Sequence, residues 1–173
     1  PPYGSGFIVF SDESRELPEY NRAGETQTAE IGGPWTLSFP ENWGAPPSVE
    51  LDELISWTDH ENEGINYFSG TATYSNSFNI SEGTLDESGA INLDLGEVLD
   101  VAEVIVNGRS AGVLWTEPFE LNIRDYVQEG ENQIEIEITN MWINRLTGDI
   151  ELPIEDKFTR TNRPPILEPY SEI

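Results

Sequence analysis

The residues best equipped for chemistry are the polar cluster Asn144, Arg145 and Asp149 and the tryptophans Trp43, Trp115 and Trp142. A guanidinium fork with a carboxylate four residues further on can either fix a ligand or lock a loop. Two readings follow. Arg145 pairs with Asp149 to anchor the C-terminal segment, or Asn144 and Arg145 contact a ligand. Trp43, in PENWGAPP, and Trp115, in VLWTEPF, fall at loop or strand-end positions where a flat apolar face is free to stack. Trp57 and Trp142 flank strands, and Trp35 occupies an inward, core position. Paired carboxylates do general acid and base work, but with 33 Asp and Glu many pairs meet any given spacing by chance. The lone His60, in DHENEG, has no Ser or Asp spacing that suggests a triad and reads as a solvated loop residue. With no cysteine there is no thiolate nucleophile, disulfide or thiolate metal site.

Charge narrows the partners. Against the 33 acidic residues stand 8 basic ones, a formal net charge of −25. Such a field repels phosphates, so nucleic acid and membrane surfaces are excluded as partners. No stretch approaches the roughly 20 apolar residues of a membrane helix, and the N-terminus has no signal-peptide pattern. A secreted or periplasmic location is expected, with any export signal upstream of Pro1. The 36% hydrophobic content and five tryptophans are enough for a folded domain rather than a disordered one.

The elements that must position these residues are strands. Apolar residues recur at period two, as in a sheet with one buried face. Ile134, Ile136 and Ile138 alternate with Gln133, Glu135, Glu137 and Thr139. Phe68, Ala72, Tyr74 and Phe78 do the same within a strand read from Tyr67 to Phe78. Further strands are expected over 35–39, 91–95, 102–106 and 119–123. Helical periodicity is nearly absent, with short turns expected over 51–57 and 124–127. Asn107-Gly108, Gly32-Gly33-Pro34 and Glu129-Gly130 are turn signals. The pattern predicts an all-β fold, an antiparallel β-sandwich. Gly6 to Phe10 reads as one more strand, so residues 1–22 are expected to be the terminal strand of a preceding domain plus a linker. Residues 23–173 are expected to form the sandwich, with residues 150–173 wrapping its surface. Residues 142–173 carry four of the 8 basic side chains and are expected to lie across the acidic body.

The segment VNGRSAGVLWTEPFELNIRDYVQEGENQIEIEITN, with YFSGTATY and LDLGEVLDVAEVIVNG upstream, resembles the jelly-roll sugar-binding domain of family 2 glycoside hydrolases and its galactose-binding-like relatives. NMWINRLTGD, from Asn140 to Asp149, resembles the ending of family 106 α-L-rhamnosidases, in which such a sandwich closes a long multidomain enzyme. The chain departs from that ending at Thr147. The resemblance implies a jelly roll, an upstream catalytic domain in the same polypeptide and a carbohydrate ligand. It does not bring catalytic residues, because too little sequence precedes Gly32 to hold them, so the isolated domain is expected not to be an enzyme. Sugar would stack on Trp43, Trp115 or Trp142 and bond Asn144 and Arg145. A structural calcium is common in such sandwiches, and Asp59, Glu61 and Glu63 offer carboxylates for one, although no EF-hand spacing occurs. The alternatives are a loop contribution to the rhamnosidase active site and a purely structural sandwich. The acidic coat implies neutral or rhamnose-containing glycans, since charged polymers would be repelled, and fits a saline setting in which repulsion is screened.

Overall fold

The computed structural model describes residues 28–87, 89–150 and 152–159. Alternation of side chains builds its main sheet. β1 spans Trp35–Ser38, β2 Ser48–Leu51, β3 Thr71–Ile80, β5 Val101–Val106, β6 Arg109–Leu114 and β8 Gly130–Thr139. They form one antiparallel sheet in the order β2-β1-β3-β8-β5-β6. β8 turns Ile134, Ile136 and Ile138 to the core face. It pairs with β3 along its whole length, from Thr71 opposite Thr139 to Ile80 opposite Gly130. A slip of one residue would expose all three isoleucines, which fixes this register. β4 (Asn92–Asp94) and β7 (Glu120–Asn122) form a separate antiparallel pair.

Two buried clusters lie against this sheet. Trp35, Leu93, Val104, Val106, Ile123 and Ile134 pack between the β5 and β8 side of the sheet and the β4–β7 pair. Leu37, Phe39, Leu51, Ile65, Phe68 and Ala72 pack beneath β1 and β3. There the cover is not a sheet but a 3₁₀ turn at Trp57–Asp59 and α1 at Glu63–Asn66. The fold is therefore an all-β sandwich whose second layer is half strand and half irregular chain. Tyr74 packs against both clusters. Its hydroxyl accepts a hydrogen bond from Trp57 Nε1 at 2.6 Å, and burial pushes its phenol above the ordinary range despite that bond.

Several boundaries differ from the sequence reading. The strand expected from Tyr67 begins at Thr71, because Tyr67 closes α1 and Gly70, at φ +143°, turns the chain. β8 starts three residues earlier than its hydrophobic alternation, at Gly130 rather than Gln133. The stretch expected to turn over 51–57 ends β2 at Leu51 and becomes helical only at Trp57. Asn107 (φ +51°) and Gly108 (φ +73°) both lie in the left-handed region, as a two-residue hairpin between β5 and β6 requires. The main correction concerns the segment after β8. Helical periodicity is nearly absent from the sequence, yet this segment forms α3, Ile143–Ile150, the short α2 being Thr84–Glu87. Residues 152–159 then turn back. The reading of residues 1–22, including the strand at Gly6 to Phe10, and that of residues 160–173 lie outside the described residues.

Candidate functional site

The path from β8 into α3 is stitched down by polar side chains. Asn140 donates from Nδ2 to the Phe68 carbonyl at 3.0 Å and accepts the Gly70 N–H on Oδ1 at 2.9 Å. The Ser69 hydroxyl donates to the Met141 carbonyl at 3.0 Å and accepts the Arg145 N–H at 2.9 Å. Asp100 accepts the Met141 N–H at 2.9 Å. With its first turn so held, α3 projects Arg145 and Asp149 inward, and they are only 4% and 3% exposed.

Arg145 Nε donates to Asp149 Oδ1 at 3.1 Å, a buried ion pair four residues apart on one helix. The other carboxylate oxygen accepts the Thr159 N–H and hydroxyl, both at 2.6 Å. Burial alone would raise the Asp149 carboxyl. Thr159 through both its groups, the Phe158 N–H and the Arg145 charge reverse that and hold it below the usual carboxylate value of 3.8. The guanidinium lies 4.5 Å from the centre of the Phe158 ring and 6.0 Å from that of Tyr67. The pair thus clamps residues 158 and 159 onto the domain, with Arg145 turned away from solvent.

Gly148 lets α3 approach this closely. A Cβ there would stand 2.5 Å from an Arg145 guanidinium nitrogen and 2.6 Å from Tyr67 Cγ. Gly148→Ala is expected to cost about 1–3 kcal/mol through overpacking, despite the better helix propensity of alanine. A melting temperature equal to or above the parent's would refute the close packing.

Of the three candidate stacking residues, two meet. Trp43 and Trp142 pack edge to face, with ring centres 5.6 Å apart and planes at 66°. Trp43 is half-buried against the core cluster around Phe68, whereas Trp142 is exposed. The Trp43 loop is braced from two sides. Gly44 sits against the Phe158 ring, and α1 meets the loop at Gly64, where a Cβ would stand 2.1 Å from the Gly44 carbonyl oxygen. Trp115 is exposed, one residue beyond the end of β6. Asn144 is half-buried on α3.

The acidic loop is organised by hydrogen bonds, without converging carboxylates. His60 Nδ1 accepts the Asn62 N–H at 2.9 Å, and Asn62 Oδ1 caps α1 by accepting the Gly64 N–H at 2.9 Å. Asp59, Glu61 and Glu63 are exposed around these turns. Among the described residues no three acidic or histidine side chains are placed to hold a metal ion. The loop reads as a solvated turn and cap.

Sequence reasoning singled out Arg145 and Asp149 but missed Tyr67, Ser69, Gly148, Phe158 and Thr159, which complete the clamp. Only Gly148, a glycine four residues after Asn144 in an otherwise substituted stretch, was a local signal of close approach.

No family model matches the chain. It is 46% identical over 125 residues to the protein named "Putative beta-glucuronidase" of Formosa agariphila, a match covering 72% of this chain and 11% of that protein. Among solved structures it is similar to a rhamnosidase from Novosphingobium sp. PP1Y, with 36% identity and a TM-score of 0.76 over 88% of this chain and 14% of that one. A beta-D-glucuronidase structure from Dictyoglomus thermophilum is 26% identical with a TM-score of 0.55, over 70% of this chain and 21% of that one. These relatives are glycoside hydrolases, and this chain spans a small part of each, 11% to 21% of their length.

Proposed function

We propose that this chain is a non-catalytic accessory β-sandwich of a larger glycoside hydrolase acting on neutral, rhamnose-containing glycans outside the cytoplasm. The observation that carries the reading is the likeness to one segment of a rhamnosidase over 88% of this chain. Local chemistry supports it. A glycosidase general acid needs a raised carboxyl pKa and an open face toward substrate. Asp149, the buried carboxylate, has the opposite character: its acidity is strengthened and both oxygens are engaged within the fold. A formal charge of −25 also disfavours uronic-acid polymers and so favours rhamnose over glucuronate chemistry.

Arg145 spends its guanidinium on Asp149 and two aromatic rings, which favours the anchoring role over ligand contact. A second reading, sugar stacking on Trp142, has in its favour the exposed Trp142 ring braced by the half-buried Trp43. The test is a release assay on the purified chain with aryl α-L-rhamnoside and aryl β-D-glucuronide. No release above buffer is expected, whereas hydrolysis by this chain alone would overturn the accessory reading. Calorimetric titration with neutral rhamnose-containing oligosaccharides separates the two roles, saturable binding favouring the stacking surface.

A further inference from the structure

The ends of three neighbouring strands gather apolar side chains that the fold does not cover. In the sheet β8, β5 and β6 are adjacent, Val101 lies opposite Thr139 and Ala102 opposite Leu114. At about 4.8 Å per strand, the ends of β8 and β6 are about 10 Å apart. Just beyond these ends stand Leu99, Trp115, Met141, Trp142 and Ile143, with relative exposures of 66, 73, 63, 57 and 45%. Scattered exposed hydrophobics are ordinary, but five of them beyond the ends of three neighbouring strands mark one end of the sheet as an interaction site.

The polar groups at the same end indicate which kind of partner. A sugar site needs donors and acceptors aimed at hydroxyls. Here Asp100 is engaged by the Met141 N–H, Ser69 and Asn140 bond the neighbouring backbone, and the Thr71 and Thr139 hydroxyls bond each other at 2.8 Å. What projects outward is aliphatic and indole surface together, the composition of a dry protein interface. Glu97 and Glu117 are exposed next to it in the chain, on a molecule of charge −25. A partner surface must therefore be apolar at its centre and neutral or basic at its rim.

We infer that this strand-end surface docks against the remainder of a longer polypeptide that contains this chain. The inference rests on the accessory-domain reading above and adds to it the face by which the sandwich is held. Relatives of which this chain spans 11% and 14% supply the occupant: most of such a polypeptide lies elsewhere, and a rigid joint needs an apolar contact with it.

Hydroxyl-radical footprinting of the full-length product of the reading frame tests this, because Met and Trp oxidise according to their exposure. The buried Trp35 and Trp57, 5% and 8% exposed, are internal standards for protected indole. Trp115, Met141 and Trp142 are expected to label within about threefold of these standards once each is corrected for intrinsic reactivity. Labelling about tenfold faster than the standards would overturn the inference. So would protection that vanishes on dilution, which identifies a second copy, or protection that requires added rhamnose-containing oligosaccharide, which identifies a sugar platform. Hydrolysis of aryl glycosides by the 173-residue chain alone would sink the accessory reading whatever the footprint shows.

Discussion

Arg145→Ala is expected to destabilise the domain by about 3–5 kcal/mol, the cost of leaving one member of a buried ion pair uncompensated. Asp149, 3% exposed, would keep its bonds to Thr159 but lose the only cation within ion-pairing distance of it among the described residues. The substitution also removes the plane that lies over Phe158, so residues 158 and 159 lose one wall of their seat. Because so little of either side chain reaches water, the screening that makes surface ion pairs nearly worthless does not apply. The double variant Arg145→Met with Asp149→Leu should recover only part of the loss, since apolar side chains can replace the ion pair but leave the Thr159 N–H and hydroxyl without their acceptor. Urea unfolding of the parent, both single variants and the double variant measures the coupling. A loss under about 1 kcal/mol in Arg145→Ala would show that the pair is not a clamp.

The same pair gives a pH dependence of fixed sign. The folded Asp149 carboxyl titrates below its ordinary value of 3.8. A depressed folded pKa adds stability that is fully present above the unfolded value and is lost as pH falls through the folded one. The parent is therefore expected to lose stability relative to Asp149→Asn as pH drops from 5 toward 2. Above that window the difference between the two should be flat. If Arg145 instead met a ligand, its alanine variant would lose glycan affinity while its melting temperature held.

The strands were legible because their buried face is apolar, so Ile134, Ile136 and Ile138 announce a period of two. α3 was not legible for the converse reason. Its buried stripe is Arg145 and Asp149 while Ile143 and Ile150 are exposed, so the helical period is inverted, charge inward and apolar outward, the reverse of the stripe that marks a helix packed on a core. The i, i+4 spacing of that pair was nonetheless visible, and it is the spacing at which helical side chains meet. The encounter of Trp43 with Trp142 is a contact across 99 positions, set by how the 3₁₀ turn, α1 and residues 152–159 cover the open half of the sheet. Nothing local encodes it. In the acidic loop Asn62 and His60 shape the turns and leave Asp59, Glu61 and Glu63 exposed.

Asn132→Leu is expected to cost about 3–5 kcal/mol, although leucine is apolar and of similar size, because several buried groups lose their partners at once. Asn132 is fully buried. Its Oδ1 accepts the Gln128 N–H and Asn107 Nδ2, each at 2.8 Å, and its Nδ2 donates to the carbonyls of Gln128 at 2.8 Å and Gly130 at 3.0 Å. All four hydrogen-bonding capacities of the amide are in use. Asn107 carries the network on, donating to the Tyr126 carbonyl and accepting the Gln133 N–H, both at 2.9 Å. Two short motifs noticed for their resemblance, Asn107-Gly108 and Gly130 with Asn132, therefore share a physical cause. One amide closes the turn before β8 and locks it to the hairpin between β5 and β6. Asn132→Asp should fare no better, since a carboxylate would face the two carbonyls that now accept from Nδ2. Asn107→Gly is the control. The glycine suits the left-handed turn, and water can reach the groups it uncovers, so about 1–2 kcal/mol is expected. Equilibrium urea unfolding ranks the three variants. An Asn132→Leu loss no larger than that of Asn107→Gly would mean that burial adds nothing to the amide network, and the lock would then lie in the turn backbone itself.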